Sequence, residues 1–442
     1  MKTIKFSSIA LLVGFLFTFS SCLKDDCNRE VTYINYTPVY KTYDEIRNTQ
    51  VASESPRDMC ETGKIYFYNN YIFINENQEG VHIIDNSTPS NPINVGFISI
   101  PGNQDISIKN GLLYANSYID LLTINISDLQ NASLVARNED VFRPLWDDVN
   151  NNRVMLYYDE EEITEMMDCD TYGALNKNGN GGFWGCANCE FLANDVASPQ
   201  GGGTIAVDDN AGSGGGQSGI AGSMARFSVI GDYLYVVDES AMHLFDLINP
   251  NQPVKGEEID LGWGIETIFP YQDKLFIGSN SGMFIYDNSN PASPEFLSAF
   301  QHARACDPVF VKDNYAYVTL RDGTECEGFI NQLDLVDISD ITSPFLVESF
   351  PMSNPHGLSI KDNTLFVCEG AHGLRAFDIT DPKTLDDHRL DHQKDGDAFD
   401  AIALPGADNT LLVIGKDGFL QYNFDDPNNL QLISEIRTKE CN

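Results

Sequence analysis

The sequence predicts an all-β fold, a single β-propeller of four-stranded blades. Three observations predict it: a short apolar stretch that recurs, a spacing of roughly forty residues between copies, and four strand-like segments in each interval. The stretch reads VHIIDNSTPSNP at 81–92, MHLFDLINPNQP at 242–253, MFIYDNSNPASP at 283–294 and LDLVDISDITSP at 333–344. Its apolar residues alternate with period two, which is typical of half-buried strands and not of helices.

The repeated stretch is the third strand of its unit. A turn of Asn, Asp or Gly precedes an apolar strand, a polar turn follows, and the stretch then ends at Asp or Asn before a Pro-bearing turn. A short strand comes before this pair, as in DISI at 105–108, and a fourth comes after it, as in INVGFISI at 93–100. Each unit is therefore predicted to be one propeller blade.

The Asp or Asn that ends the third strand marks each blade. We expect its side chain to accept turn hydrogen bonds, and the following Pro to end the strand. Spacings of 40, 121, 41, 50, 41 and 45 residues separate the seven markers, which are Asp85, Asn125, Asp246, Asp287, Asp337, Asp378 and Asn423. The long interval is close to three periods, and 142–168 within it can be read as a degenerate blade. The sequence thus predicts eight candidate blades, or seven if 142–168 is not a blade, within a propeller at 54–438.

Two segments lie outside this pattern. Residues 169–222 form a Gly/Cys-rich insertion whose Cys169, Cys186 and Cys189 favour a disulfide staple over a redox pair or a zinc site. The Tyr- and Val-rich segment 31–46 is predicted to add a strand to the closing blade or to pack against it, because a propeller must join its ends.

The repeat resembles the LVIVD repeat. The resemblance rests on LDLVDISDITSP at 333–344 and LRAFDITDP at 374–382, and it extends over about residues 55–438. It implies a propeller fold and little about activity. Asn125 and Asn423 depart from its Asp.

The N-terminus predicts export and lipidation. Residues 1–21 have the basic start and short apolar run of a signal peptide. Phe19-Ser20-Ser21-Cys22 resembles a lipobox, so we expect Cys22 to carry acyl chains such as palmitate. Leu23-Lys24-Asp25-Asp26 resembles the export signal of surface lipoproteins in the Bacteroidetes. These residues predict an outer-membrane lipoprotein, displayed at the cell surface, in which 22–53 form the anchor, the tether and an N-terminal strand.

The charge excludes one class of partner. The chain has 65 acidic and 27 basic residues, and nucleic acid requires a basic surface. The acidity predicts a solvated surface or, less strongly, calcium binding. No other cofactor is expected.

Cysteines give two further predictions. Cys306 and Cys326 flank the first two strands of one blade at the same end, which predicts a disulfide between them. Cys368 lies in the middle of a strand and is the candidate for a buried free thiol.

The starts of the first strands place charged or titratable residues at the mouth of the channel. They are Asp105, Arg226, Glu266, Asp307, His356 and Asp400. Three interpretations stay open: a cation site built from the four acids, a polar-ligand site that adds Arg226 and His356, and a structural role in which each acid caps its own loop.

The functional prediction is a binding or scaffold module for protein or glycan. The alternative is a carbohydrate-active enzyme that uses Asp307 with Asp400, or Glu266 with His356. His82 and His243 lie among apolar residues of third strands and are expected to be core histidines.

Overall fold

The protein is described from a computed structural model, which covers residues 28–168, 218–302, 308–321, 330–406 and 409–440. The described residues divide into two compact units, one of 28–41 with 155–168 and one of 42–154 with the residues from 218 onward. Within these residues, no helix has the length and apolarity needed to cross a membrane.

The chain is almost entirely strand. The first six strands are β1 (Asn28–Thr42), β2 (Ala52–Glu54), β3 (Thr62–Tyr68), β4 (Tyr71–Glu76), β5 (Gly80–Asp85) and β6 (Ile93–Ser99). The next seven are β7 (Ile106–Lys109), β8 (Leu112–Ser117), β9 (Asp120–Asn125), β10 (Ser133–Asn138), β11 (Trp146–Asp148), β12 (Arg153–Asp168) and β13 (Ile220–Ala221).

The remaining strands follow in regular groups of four. Two groups are β14 (Phe227–Ile230), β15 (Tyr233–Val237), β16 (Ala241–Asp246), β17 (Val254–Asp260), and β18 (Ile265–Tyr271), β19 (Lys274–Ser279), β20 (Gly282–Asp287), β21 (Glu295–Gln301). Two more are β22 (Val309–Lys312), β23 (Tyr315–Leu320), β24 (Gln332–Asp337), β25 (Phe345–Pro351), and β26 (Leu358–Lys361), β27 (Thr364–Cys368), β28 (Leu374–Asp378), β29 (Arg389–Gln393). The last is β30 (Asp400–Ala403), β31 (Thr410–Gly415), β32 (Gly418–Asn423) and β33 (Gln431–Arg437).

Helical structure is limited to short pieces between strands. They are α1 (Tyr43–Arg47) and three 3₁₀ turns at Leu129–Asn131, Val149–Asn151 and Pro382–Asp387. A capping box starts α1, in which Thr42 and Glu45 each bind the other's backbone N–H.

Seven antiparallel sheets of the described residues are blades. Blades 2 to 7 have four strands each, and blade 1 has two additional strands, β13 on the inner edge of β3 and β2 on the outer edge of β6. The inner strands β3, β7, β14, β18, β22, β26 and β30 contact one another in that order, and β30 returns to β3. This closed ring confirms the predicted all-β propeller.

Residues 142–168 do not form an eighth blade. β11 and β12 belong to a separate three-stranded sheet of order β1-β12-β11, so the seven-blade alternative is the one observed. The first and second strands of a blade are largely buried, as β7 and β8 are, whereas Asp159 and Glu161 of β12 are exposed and acidic. Of the two roles predicted for the N-terminal segment, the added strand in the closing blade is not observed, because β1 pairs with β12.

The ring closes between two complete blades, without a strand shared between the two ends of the chain. Asn86 of blade 1 and Gln421 of blade 7 exchange two buried amide hydrogen bonds of 2.8 and 2.9 Å. Apolar residues of both blades, among them Ile65, Ile74 and Phe419, pack into one buried cluster. Side-chain packing and hydrogen bonds therefore join the ends.

The markers at the ends of the third strands have the predicted role. In all seven blades the marker's Oδ1 accepts the backbone N–H of the residue two positions on, at 2.6 to 3.0 Å. Asn125 and Asn423 make this bond as the aspartates do, since only the oxygen is needed. The repeated stretch is thus a structural element of each blade.

Candidate functional site: the channel mouth

The channel mouth is the end of the propeller at which the first strands begin. Asp105 stands directly before β7, Arg226 before β14, and Asp400 opens β30. Lys64 precedes Ile65 in β3 as Asp105 precedes Ile106 in β7, so it is blade 1's contribution to the mouth. Lys64 was not among the residues predicted at the mouth, although an alignment of the first strands includes it.

Asp105 connects three blades. Its Oδ2 accepts the Lys64 Nζ at 3.0 Å and the backbone N–H of Arg226 at 2.5 Å, and its Oδ1 accepts the Ile106 N–H at 2.7 Å. The Asp105 carboxylate is buried, and the Lys64 side chain is 22% exposed. Burial lowers the pKa of Lys64, and the neighbouring Asp105 charge opposes this shift.

The described part of the mouth alternates in charge. Going around the ring, it runs from Asp400 of blade 7 to Lys64, Asp105, Arg226 and Glu266 of blades 1 to 4. The Arg226 Nε donates to the backbone carbonyl of Glu266 at 3.3 Å. Two cations among the acids reduce the repulsion that an all-acidic mouth would have.

A segment that we call the crossing segment, residues 218–226, runs across the channel from the insertion into blade 3. Ile220 and Ala221 pair with Phe67 and Tyr66 on the channel side of β3. The Gly219 N–H donates to the Ile108 carbonyl of blade 2 at 3.0 Å. Beyond them, the Ala225 carbonyl accepts the Ile268 N–H of blade 4 at 2.9 Å. The crossing segment therefore contacts blades on several sides of the channel.

Asp400 is the main side-chain acceptor for the crossing segment. Its Oδ1 accepts the Ser223 N–H and hydroxyl at 3.2 and 3.1 Å, and its Oδ2 accepts the Met224 N–H at 3.4 Å. Asp400 is 2% exposed. Burial raises its pKa to about 6, while hydrogen bonds from Ala401, Met224 and Ser223 and the Lys64 charge pull it down.

His356 lies at the blade 6 part of the mouth and is buried. Its Nε2 is 3.3 Å from Asn354 Nδ2, and its ring packs against Phe399 with centroids 5.4 Å apart. Burial, and then the positive charge of Arg321, lower its pKa to about 3. The imidazole is therefore neutral near pH 7 and can act as an acceptor or a donor through one nitrogen each.

Several predictions fall on residues outside the described part of the chain. Asp307, Cys306 and Cys326 are among them, so the Asp307–Asp400 pair and the disulfide stay predictions, as does Cys22. Among the described residues, no group of three or more His, Cys, Asp or Glu side chains is arranged to hold a metal ion. As a ligand site, the mouth also stays a prediction.

Three other side chains have the environment expected of them. Cys368 is a free, fully buried thiol, and Cys60, the other described cysteine, is disulfide-bonded. His82 Nε2 lies 2.9 Å from Glu76 Oε2, and His243 Nε2 lies 2.9 Å from Asp238 Oδ2, with both imidazoles fully buried. They are core histidines paired with carboxylates.

Chemically, the two buried carboxylates at the mouth are engaged by the chain itself. Every oxygen of Asp105 and Asp400 already accepts at least one hydrogen bond from the protein. The arrangement fixes the crossing segment in the channel. An acid held in this way is poorly placed to transfer a proton to a ligand.

Known proteins share the repeat and the fold. The profile of the LVIVD repeat matches residues 61–98, 221–256 and 303–351. The periplasmic gluconolactonase PpgL of Pseudomonas aeruginosa is similar in structure at 9% identity, covering 86% of this chain and 96% of that one with a TM-score of 0.50. BamB from Moraxella catarrhalis is similar at 8% identity, 89% and 98% coverage and a TM-score of 0.46.

A comparison with the curated proteins found no match. At such low identities, the structural likeness concerns the fold alone. The repeat match and the seven blades together support a repeat β-propeller.

Proposed function

We propose that this protein is a binding or scaffold module for a protein or a glycan, held at the outer membrane by acylated Cys22 and displayed at the cell surface. It uses no cofactor and catalyses no reaction. A propeller is suited to this role because many loops converge on each end of a rigid ring.

One observation carries the non-catalytic part of the proposal. The buried acids Asp105 and Asp400 hold the crossing segment and the neighbouring blades, so they serve the fold. A glycosidase needs two carboxylates free to act on the substrate, one as an acid and the other as a nucleophile or base. The geometry of the described mouth therefore favours binding over turnover.

Variants of the mouth distinguish a module from an enzyme. Glu266→Gln and His356→Ala change two half-buried or buried mouth residues that the enzyme alternative uses. With a panel of host and dietary oligosaccharides, we expect no hydrolysis by the wild type or by either variant. Hydrolysis by the wild type that disappears in one variant while binding remains would instead identify a carbohydrate-active enzyme.

The location is tested separately in the native host. Cells expressing the protein are labelled with an alkyne analogue of palmitate, with Cys22→Ser as the matched control, and intact cells are treated with protease. We expect label on the wild type alone and cleavage on intact cells. An unlabelled wild type, or protection from protease until the outer membrane is broken, would contradict the anchor or the surface display respectively.

A further inference from the structure

A groove of about 690 Å³ opens between blades 1 and 2, at the end of the propeller opposite the channel mouth. Its floor is apolar: Tyr71 and Val95 of blade 1 are partly exposed there, and the buried Phe73 of blade 1 and Ile126 of blade 2 complete the lining. Its volume is within the range of small-molecule sites, which is about 300–1,000 Å³.

The interface between blades 1 and 2 lacks a hydrogen bond that most other blade interfaces have. At four of the other six interfaces the carbonyl four residues after the marker accepts a hydrogen bond from a side chain of the preceding blade. In each case a side-chain hydroxyl donates to a backbone carbonyl: Tyr114 to Pro250 at 3.0 Å, Tyr235 to Pro291 at 3.0 Å, Ser298 to Ile341 at 2.6 Å and Ser434 to Pro89 at 2.7 Å.

Blade 1 has neither donor. Phe73 stands where Tyr114 and Tyr235 stand in their blades, and Gly96 stands where Ser298 does. The corresponding carbonyl of blade 2, that of Leu129, accepts its hydrogen bond from Ser53 of the added edge strand β2 at 3.1 Å. The loop is thus held from the periphery, and the space between the blades stays open.

Both ends of the groove are fixed by hydrogen bonds. At the inner end the Gly111 N–H donates to the Tyr68 hydroxyl at 3.0 Å, and at the outer end the Ala132 N–H donates to the Ser53 hydroxyl at 2.8 Å. Binding therefore requires little ordering of the protein, which favours affinity.

The edge of the groove is polar and carries one formal charge. Asn69 and Gln130 are exposed amides, and Asp128 is an exposed carboxylate. Asp128 accepts the Gln130 N–H at 3.0 Å and the Asn131 amide at 2.8 Å, so each oxygen retains one accepting position. An anionic ligand would be repelled by Asp128 and by the acidic protein as a whole.

We propose that this groove between blades 1 and 2 binds a neutral sugar unit, whose apolar ring face lies on the floor and whose hydroxyl groups bind the polar edge. A pyranose combines these two surfaces in one rigid ring, and aromatic and amide side chains match each of them. The inference rests on the proposed binding function and names its ligand class and its place.

The repeat supplies matched controls for the test. Asp340 in blade 5 corresponds to Asp128 and makes the same turn, with the Thr342 N–H donating at 3.1 Å, but it does not line the groove. Likewise Tyr315 of blade 5 corresponds to Tyr71. Each pair of variants therefore has a similar effect on the fold and differs in its relation to the groove.

The experiment is a titration of the purified full chain with neutral oligosaccharides based on mannose, galactose and N-acetylglucosamine, and with their sialylated or sulfated forms, by calorimetry and saturation-transfer NMR. We expect binding of at least one neutral sugar. We also expect Asp128→Ala and Tyr71→Leu to weaken it at least fivefold, and Asp340→Ala and Tyr315→Leu to leave it within twofold.

Two results would overturn the inference. Sugar binding that survives Asp128→Ala and Tyr71→Leu places the site elsewhere but leaves the binding function intact. If the folded chain binds no neutral sugar, a sugar is not the ligand of this groove. The proposed binding module would then require a protein partner.

Discussion

Ser223 donates both its N–H and its hydroxyl to the same oxygen of Asp400, and its hydroxyl also accepts the Leu358 N–H at 2.8 Å. One serine of the crossing segment thereby binds blades 6 and 7 just before the chain enters blade 3. Residues distant in sequence are thus joined inside the channel, so the crossing segment is expected to contribute to the stability of the ring.

The close approach of the crossing segment to Asp400 requires a glycine at position 222. A Cβ at this position would lie 1.9 Å from Asp400 Oδ2, so Gly222→Ala should lower the free energy of unfolding by about 1–3 kcal/mol through overpacking. Gly256→Ala is the control, because its nearest neighbour would be 3.6 Å away, and it should change stability by no more than about 0.5 kcal/mol. Urea unfolding measures both, and equal effects would contradict the tight contact.

Asp400 should make stability depend on pH. Its pKa is about 6 in the folded protein and close to 3.8 when unfolded, so the folded state binds this proton more tightly. Its contribution to stability is therefore fully present below pH 3.8 and is lost as the pH rises through about 6.

The comparison with Asp400→Asn isolates this contribution, since other groups titrate alike in both proteins. On going from pH 7.5 to 4.5, the wild type should gain about 1–3 kcal/mol more than the variant, because one pKa unit corresponds to about 1.4 kcal/mol. Unfolding by urea at the two pH values gives the difference. An equal change in both proteins would show that Asp400 does not titrate in this window.

The Asn86–Gln421 pair should couple the two ends of the chain. Both side chains are buried, so Asn86→Ala or Gln421→Ala leaves one amide without its partner and should cost about 1–3 kcal/mol. A double-mutant cycle should give a coupling energy of at least about 0.5 kcal/mol. Additive costs would mean that the bond between Asn86 and Gln421 does not itself help to close the ring.

Substitution of a marker by Asn or by Ala should change the stability of the protein by different amounts. Asp337→Asn keeps the oxygen that accepts the Ser339 N–H at 2.8 Å, as Asn125 does for Ser127, and should change stability by less than about 0.5 kcal/mol. Asp337→Ala removes the acceptor and should cost about 1 kcal/mol. Thermal unfolding of the two variants measures both changes in stability. If Asp337→Asn costs as much as Asp337→Ala, the negative charge and not the hydrogen-bond acceptor stabilises the turn.

Cys368 should be unreactive in the native protein. Burial raises the pKa of this thiol, and the thiolate is the reactive form. Iodoacetamide at pH 8 followed by peptide mapping should find Cys368 unmodified before unfolding and modified in guanidinium chloride. Modification under native conditions would mean that β27 opens readily.

The propeller was predictable because its signals are local. Alternation in strands such as β20, the Asx turn after Asp287 and the spacing of the repeats all depend on residues near one another in sequence. The burial of Cys368 was predictable for the same reason, since it follows the apolar run at 365–367, although it is the last residue of β27 and not in the middle of a strand.

The candidate site was only partly predictable. Aligning the first strands placed Asp105, Arg226 and Asp400 at the channel mouth, but no pattern in the sequence indicated that Ser223 would bind Asp400 there. The groove between blades 1 and 2 was also missed, because Ser53, which binds the Leu129 carbonyl beside it, comes from an added edge strand that the repeat does not predict.

The sequence by itself determined the repeated blade, its turns and its buried alternation. The tertiary structure decided the number of blades, the partner of β1, the closure of the ring and the path of the crossing segment. The physical reason is that a strand edge or a buried carboxylate accepts any partner with suitable geometry. The partner comes from 100 or more residues away in the sequence. Packing of the whole ring selects it, and the residues adjacent in sequence do not.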